Sequence, residues 1–448
     1  MKIIIDPTKI IQGECQSDWI SDKGFSPDSY GLNLTKKRGL LYFAEAVTDR
    51  GGATLTASII AATYDKNILG NDGYFLDGGG SFYTLDGATF TKRQTAVADT
   101  FSIGTSEMIQ FQGNLYATSA QRIVQLTGSD LTSIDSSWWT ALQNSYRHPM
   151  ERVEDTLYIG DLNNIHTWNG TTSTAAAIVL PTDVNITSLR KHPDGKTLLA
   201  FCGLTANYSH TKGLGGRIYY IDTNTKSWTR EVDLEVQVEG SRVIGGTIFI
   251  SFGNNIGYFD GNGVKFLKKL KIESSNTIYS HSMIAYENFL VVRDSYEALA
   301  FGNLGAGNVW WRIFKAATAD LSCLLYKGAN IMLFAKSNNK LEEVNYDNSG
   351  INGIFVSNRY LFHQKVRIKR IEIIHDAADN AGTTRFIVYY RDTEDTTSII
   401  LDANYVNQTT TKTEFFVDID TDIFQFQISP QNDNIGFKLI RIHYEPIN

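Results

Sequence analysis

Cysteine, proline and surplus positive charge are all scarce in this sequence, and each scarcity removes a class of protein. The three cysteines (Cys15, Cys202 and Cys323) lie far apart, with no CxxC spacing. They form neither a disulfide framework nor a zinc site. Only 7 prolines occur in 448 residues, so long stretches can donate every backbone N–H to a sheet ladder. Lys and Arg total 41 against 48 Asp and Glu, a formal charge of −7. That balance argues against duplex DNA as the main ligand, because phosphate binding draws on concentrated Lys and Arg. The opening Met1-Lys2-Ile3-Ile4-Ile5-Asp6-Pro7 is too short an apolar run for a signal peptide, and no later stretch could span a bilayer. The expectation is a soluble protein made in a reducing cytoplasm.

Catalytic signatures are missing too. The eight histidines are scattered, with no HExxH, no GxSxG elbow and no GxxxxGK[ST] loop. His166, between Ile165 and Trp168, reads as a packed or rim histidine rather than a base. Asp77-Gly78-Gly79-Gly80 precedes strand-type residues rather than a helix, so it reads as a hairpin turn and not a phosphate loop. Asp418-Ile419-Asp420-Thr421-Asp422 has the alternate-acid spacing of a calcium loop. It has Ile423 where that loop requires Gly, and Ser429 where it requires Glu. A charged turn between two strands is the expectation, with no cofactor and no metal site.

What the chain has in quantity is 42% hydrophobic residues, 24 Phe, 22 Tyr and 37 Gly, a mixture suited to twisted strands joined by tight turns. A weak unit recurs within it: a turn, an apolar burst, a few small polar residues and a second apolar burst. The clearest copies are Gly113-Asn114-Leu115-Tyr116-Ala117 with Ile123–Thr127, and Asp155-Thr156-Leu157-Tyr158-Ile159 with Ile165–Gly170. Anchors at Phe75, Leu115, Leu157, Leu198, Ile248, Leu290 and Ile331 are separated by 40, 42, 41, 50, 42 and 41 residues. A period near forty built from strand pairs predicts a β-propeller. Six or seven blades fit, because the first beat could complete a sheet closed by Leu40 to Phe43. Ser136 to Gln143 is the only helical candidate, and an insertion near Tyr208 to Gly216 explains the long step.

Three segments follow: an extended amino-terminal arm over 1–36, a β-propeller over 37–351, and a carboxyl-terminal β-sandwich over 352–448. The last is predicted from about six strands without the forty-residue period. Two surfaces are candidates for contact. Trp138 and Trp139, like Trp310 and Trp311, could stack on sugar rings or simply pack between blades. Lys365, Arg367 and Lys369 alternate with Val366 and Ile368, which places them on the solvent face of one strand.

The lead-in Lys23-Gly24-Phe25-Ser26-Pro27-Asp28-Ser29-Tyr30-Gly31, running through Leu34-Thr35 to Arg38-Gly39-Leu40-Leu41, resembles the openings of bacteriophage virion proteins. With the stretches around His148-Pro149-Met150 and His192-Pro193-Asp194-Gly195, and the basic-apolar run from Lys365 to Ile371, the chain resembles the propeller-bearing tail and head-to-tail proteins of tailed phages, such as tail nozzle and tail stabilisation proteins. The resemblance implies a non-enzymatic structural subunit of the virion tail, assembled in the host cytoplasm. It implies a ring of copies of itself, a hexamer, touching other tail proteins and passing DNA without specific binding. Two other classes remain open: a receptor- or glycan-binding propeller of the tail, and a propeller glycoside hydrolase, which would need a carboxylate pair at the propeller mouth.

Overall fold

The computed structural model describes residues 1–5, 32–33, 42–43, 47–51, 55–64, 70–95, 100–140, 142, 147–204, 214–271, 279–303, 308–317, 319–346, 355–357, 360–376, 385–391, 399–405, 411–431 and 436–447. Among these, seven four-stranded antiparallel sheets follow one another along the chain. Sheets I to VI span 59–95, 108–139, 150–179, 184–236, 240–269 and 283–315. Sheet VII takes three strands from 321–345 and its fourth, Thr48–Asp49, from the other end of the sequence.

Every one of the seven anchors lies in the second strand of its sheet: Gly73–Asp77, Asn114–Thr118, Thr156–Asp161, Thr197–Leu204, Thr247–Phe252, Phe289–Asp294 and Ile331–Lys336. The reason is local. A short turn enters these strands in sheets II to VII, and each strand is flanked by partners on both sides, so its apolar residues stand out. At Gln112–Gly113 and Gly245–Gly246 both central turn residues have positive φ, the geometry whose twist matches paired strands. Six anchors are buried, whereas Ile331 is half-buried and Met332 beside it is fully buried. A one-residue offset of this kind exchanges the two faces of a strand.

The first strand of each sheet packs against the first strand of the next, and the first strand of sheet VII packs on that of sheet I. Seven apolar clusters fill the junctions. The one between sheets I and II holds Leu76, Phe82, Leu115 and Leu126. The one between VII and I holds Phe75, Tyr83, Leu325 and Leu333. The sheets therefore close on themselves, and the domain is a β-propeller. In sheets I to VI the pairing of third and fourth strands is irregular, with a bulge in each. Sheet VII ends on a strand of only two residues. Bulges and short strands are how exposed sheet edges avoid pairing with other chains.

Two expectations change here. The closing strand is Thr48–Asp49, not Leu40 to Phe43. Tyr42–Phe43 pairs instead with Leu32–Asn33, outside the seven sheets. Ser133–Trp139 is the fourth strand of sheet II rather than a helix, because Trp138 packs against Tyr116 and Trp168 at the next junction. Most of the Tyr208–Gly216 insertion lies outside the described residues.

The carboxyl-terminal strands form one seven-stranded sheet, in the order Lys2–Ile5, Phe437–Pro446, Tyr360–His375, Lys412–Gln431, Arg385–Arg391 and Ile399–Tyr405, with Phe355–Val356 also on Lys412–Gln431. The amino-terminal residues, expected to begin an extended arm, are thus an edge strand of this sheet. Met1 donates its terminal ammonium to Tyr444 O at 2.7 Å. Two expected strands merge in Lys412–Gln431, and the Asp418–Asp422 run is strand rather than turn. Arg367 and Lys369 on the neighbouring strand neutralise its acids. Val366, Ile368, Phe415, Phe424 and Ile440 form one cluster with Trp311 and Phe334 of sheets VI and VII, which fixes the sheet to that side of the ring. Among the described residues no helix is long and apolar enough to cross a membrane.

Candidate functional site

The loops that lead into the first strands meet at the ring's centre, and one arginine spans them. Arg147, three residues before the first strand of sheet III begins at Met150, donates Nε to Gly104 O at 3.0 Å and Nη1 to Thr187 O at 3.2 Å and to Glu239 O. Its Nη2 meets the Glu239 carboxylate at 2.9 Å, and its guanidinium lies 4.4 Å from the Tyr279 ring centre. These partners belong to the entries of sheets II, V and VI and to sheet IV. A side chain on sheet III can reach all four only across the axis. Gln237 donates to the other Glu239 oxygen at 2.8 Å. Arg147 is 5% exposed, so this tie is shielded from solvent and salt.

A second layer lies beneath. Arg190 donates to Ser241 O at 2.6 Å and pairs with Glu151 at 3.1 Å, and Ser188 and Ser241 share a 2.7 Å hydroxyl contact. Arg242 bonds Met283 O and Ser280 O, and burial pushes its guanidinium down to about 10. Burial also raises the Glu151 carboxyl, against the pull of Arg190. His281 is 8% exposed with neither ring nitrogen bonded, and burial, aided by Arg293, Arg147 and Arg242, holds it neutral. Three carboxylates at these strand entries are occupied: Glu239 as above, Glu151 by Arg190, and Glu107 by the Met150 N–H at 3.1 Å. Such a centre holds strands together. Opposed free carboxylates, which glycoside hydrolysis requires, are not what these three present.

The residues singled out in the sequence fall in three places. Trp138 and Trp139 are half-buried in a packed aromatic row, with Trp138 4.9 Å from Tyr116 and 5.3 Å from Trp168, and Trp139 5.0 Å from His166. His166 itself is buried and accepts the Ala176 N–H at 2.9 Å. Trp311 is buried in the core and Trp310 packs on Phe301 at 4.7 Å. Lys365, Arg367 and Lys369 lie on one strand of the carboxyl-terminal sheet. Lys365 is exposed, Arg367 forks onto Asp420 at 2.6 and 2.9 Å, and Lys369 bridges Asp418 and Glu445 at 3.4 and 3.0 Å. Phe416 stands 78% exposed on the adjacent strand. Among the described residues no group of three or more His, Cys, Asp or Glu is placed to hold a metal ion.

Clefts open at both ends of the ring among the described residues. One of about 270 Å³ lies on the Arg147 side, lined by Ser58, Ile60, Arg293, Ser295, Asp320 and Ser322 among others. The other, of about 350 Å³, lies between sheets IV and V at the opposite end, where the first-to-second and third-to-fourth strand turns gather.

No family model matches this chain, and no curated protein matches it. Solved structures are similar in shape alone. One titled YCF48 bound to D1 peptide is 11% identical with a TM-score of 0.46, over 67% of this chain and 97% of that one. Raptor of Chaetomium thermophilum is 14% identical with a TM-score of 0.48, over 68% of this chain and 28% of its own. The Cps50 (Swd1) β-propeller domain from Myceliophteria thermophila is 10% identical with a TM-score of 0.46, over 65% and 96%. The propeller itself rests on the closed ring of sheets.

Sequence reasoning missed Arg147, Glu239 and Tyr279. Each stands within four residues of a first strand, but at 10, 9 and 11 residues before the anchors Leu157, Ile248 and Leu290, so no single repeat position marks them.

Proposed function

We propose that this chain is a non-enzymatic structural subunit of a tailed-bacteriophage virion. In this reading it is a seven-bladed propeller whose carboxyl-terminal strands fold over one another as a sandwich about the shared strand Lys412–Gln431. Copies of the chain stand in a ring, a hexamer, in the tail or head-to-tail region and touch other tail proteins. The observation that carries the reading is the Arg147 tie: Arg147, Glu239 and Arg190 bond from sheet to sheet at the centre of the ring. A disc stoppered in this way offers stiff outer surfaces to neighbours. Any conduit for DNA would run between subunits, and the chain's acidic balance suits a wall that does not grip phosphate. Equivalent heterologous contacts between such discs generate closed rings. The paired charges and exposed Phe416 of the carboxyl-terminal sheet supply a contact face. Mass spectrometry of particles purified from cells carrying the gene in its native context tests this. The polypeptide should be present in fixed stoichiometry with tail proteins, and its absence from the particles overturns the proposal.

A further inference from the structure

The cleft between sheets IV and V is walled by Tyr220, Tyr258 and Pro193 on its apolar sides and by His192, Thr247 and Asp260 on its polar ones. At about 350 Å³ it falls in the range of small-molecule sites, which combine aromatic walls with a few placed polar groups. Two of its walls are bare backbone. Gly246 and Gly261 have φ of +82° and +97°, and an added Cβ would meet nothing within 4 Å at either. The cleft is therefore not narrowed by side chains at these two positions.

Fixed charges of both signs border the cleft, Arg230 and Lys265 against Asp194 and Asp260. His192 lies 3.0 Å from Asp194 and Lys265 lies 3.4 Å from Asp260. Arg230 covers one face of Tyr220, with its guanidinium 5.0 Å from the ring centre, and donates to Gly261 O at 2.9 Å. A cationic ligand would meet Arg230 and Lys265, and an anionic one would meet Asp194 and Asp260. A neutral ligand meets neither penalty. Asp260 Oδ1 is fixed by the Asn262 and Gly263 N–H groups, each at 2.9 Å. That turn holds the carboxylate in place, and Oδ2, 3.4 Å from Lys265 Nζ, keeps a second lone pair for a ligand hydroxyl.

We infer that this cleft is a binding subsite for a neutral pyranose sugar. Its apolar C–H face lies against the tyrosine walls, and its hydroxyls bond Asp260 and Thr247. A pyranose has this pairing of one apolar face with a hydroxyl rim, whereas a purely apolar ligand would leave the polar wall unpaired. The site is distinct from the Trp138–Trp139 row and from the contact face of the carboxyl-terminal sheet. It stands or falls independently of the virion reading.

Saturation-transfer NMR on the full chain tests the inference, with methyl glucoside, methyl galactoside and N-acetylglucosamine as probes and arginine amide and acetate as charged comparators. At least one sugar should receive saturation. Tyr258→Ala should weaken it about tenfold, the scale of one lost aromatic contact. Thr247→Trp, which fills the cleft from an already half-exposed position, should abolish it while melting temperature is unchanged. Phe266→Ala, on a different strand, should leave binding intact. Three results overturn the inference: no transfer to any sugar, transfer that survives Thr247→Trp, or preferential binding of a charged comparator.

Discussion

Replacing Arg147 with Ala is the sharpest perturbation of the ring. The substitution deletes donors to three backbone carbonyls on different sheets, those of Gly104, Thr187 and Glu239, and the contact with Tyr279. It also leaves the Glu239 carboxylate, which belongs to a residue only 7% exposed, without its cation. Removing one partner of a buried ion pair costs about 3–5 kcal/mol, most of it from the uncompensated charge left behind. With about 2 °C for each kcal/mol in a domain of more than two hundred residues, the melting temperature should fall by roughly 6–10 °C. Adding Glu239→Gln should restore part of the loss, because it removes the stranded charge. Urea unfolding followed by tryptophan fluorescence reads all three proteins. An Arg147→Ala variant within about 1 kcal/mol of the parent, or a double variant that simply adds the two losses, would refute the idea that this side chain ties the ring across its axis.

His281→Leu should leave stability unchanged or raise it by about 1–2 kcal/mol, since it removes two buried nitrogens that have no partners. The folded imidazole stays neutral while the unfolded one takes up a proton below about pH 6.5. Stability therefore falls as pH drops through that value, and the leucine variant should lose that part of the acid slope in melting scans. Burial pushes the Cys323 thiol up to about 12 from 9.0. The unfolded thiol thus loses its proton first and stability declines as pH climbs above 9, a decline that Cys323→Ser or Cys323→Ala should reduce. Cys202 is raised too, so both thiols should resist iodoacetamide in native protein and react in urea, as peptide mapping will report. Deleting residues 1–5 removes the strand registered from Lys2 on His443 to Ile5 on Ile440. Hydrogen exchange should then accelerate along Phe437–Pro446 and leave sheets II to V unchanged, and uniform protection would contradict the pairing.

The ring was legible in the sequence because its signal is local. Leu115 and Leu157 each sit between a tight turn and a partner strand a few residues on, so the pattern survives without knowledge of distant contacts. What stayed hidden depends on residues far apart in the chain. Arg147 and Glu239 are 92 positions apart, and the closing strand Thr48–Asp49 is two residues long and charged, so no periodicity marks it. The acids at Asp418 and Asp420 looked like a turn because their neutralising partner, Arg367, lies 53 positions earlier than Asp420. Trp138 and Trp139 looked available for stacking because only the fold shows Tyr116, Trp168 and His166 against them. The clefts were invisible for the same reason: Tyr220 and Tyr258 belong to different sheets.

The proposed role is a surface: a closed disc that assembles into a ring. Cryo-electron microscopy of the purified full chain, and of particles from its native host, tests this most directly. The account predicts rings of propeller discs in contact through the carboxyl-terminal sheet, and density for the same ring within a tail. A chain that stays monomeric at all concentrations and is absent from tail density would contradict it.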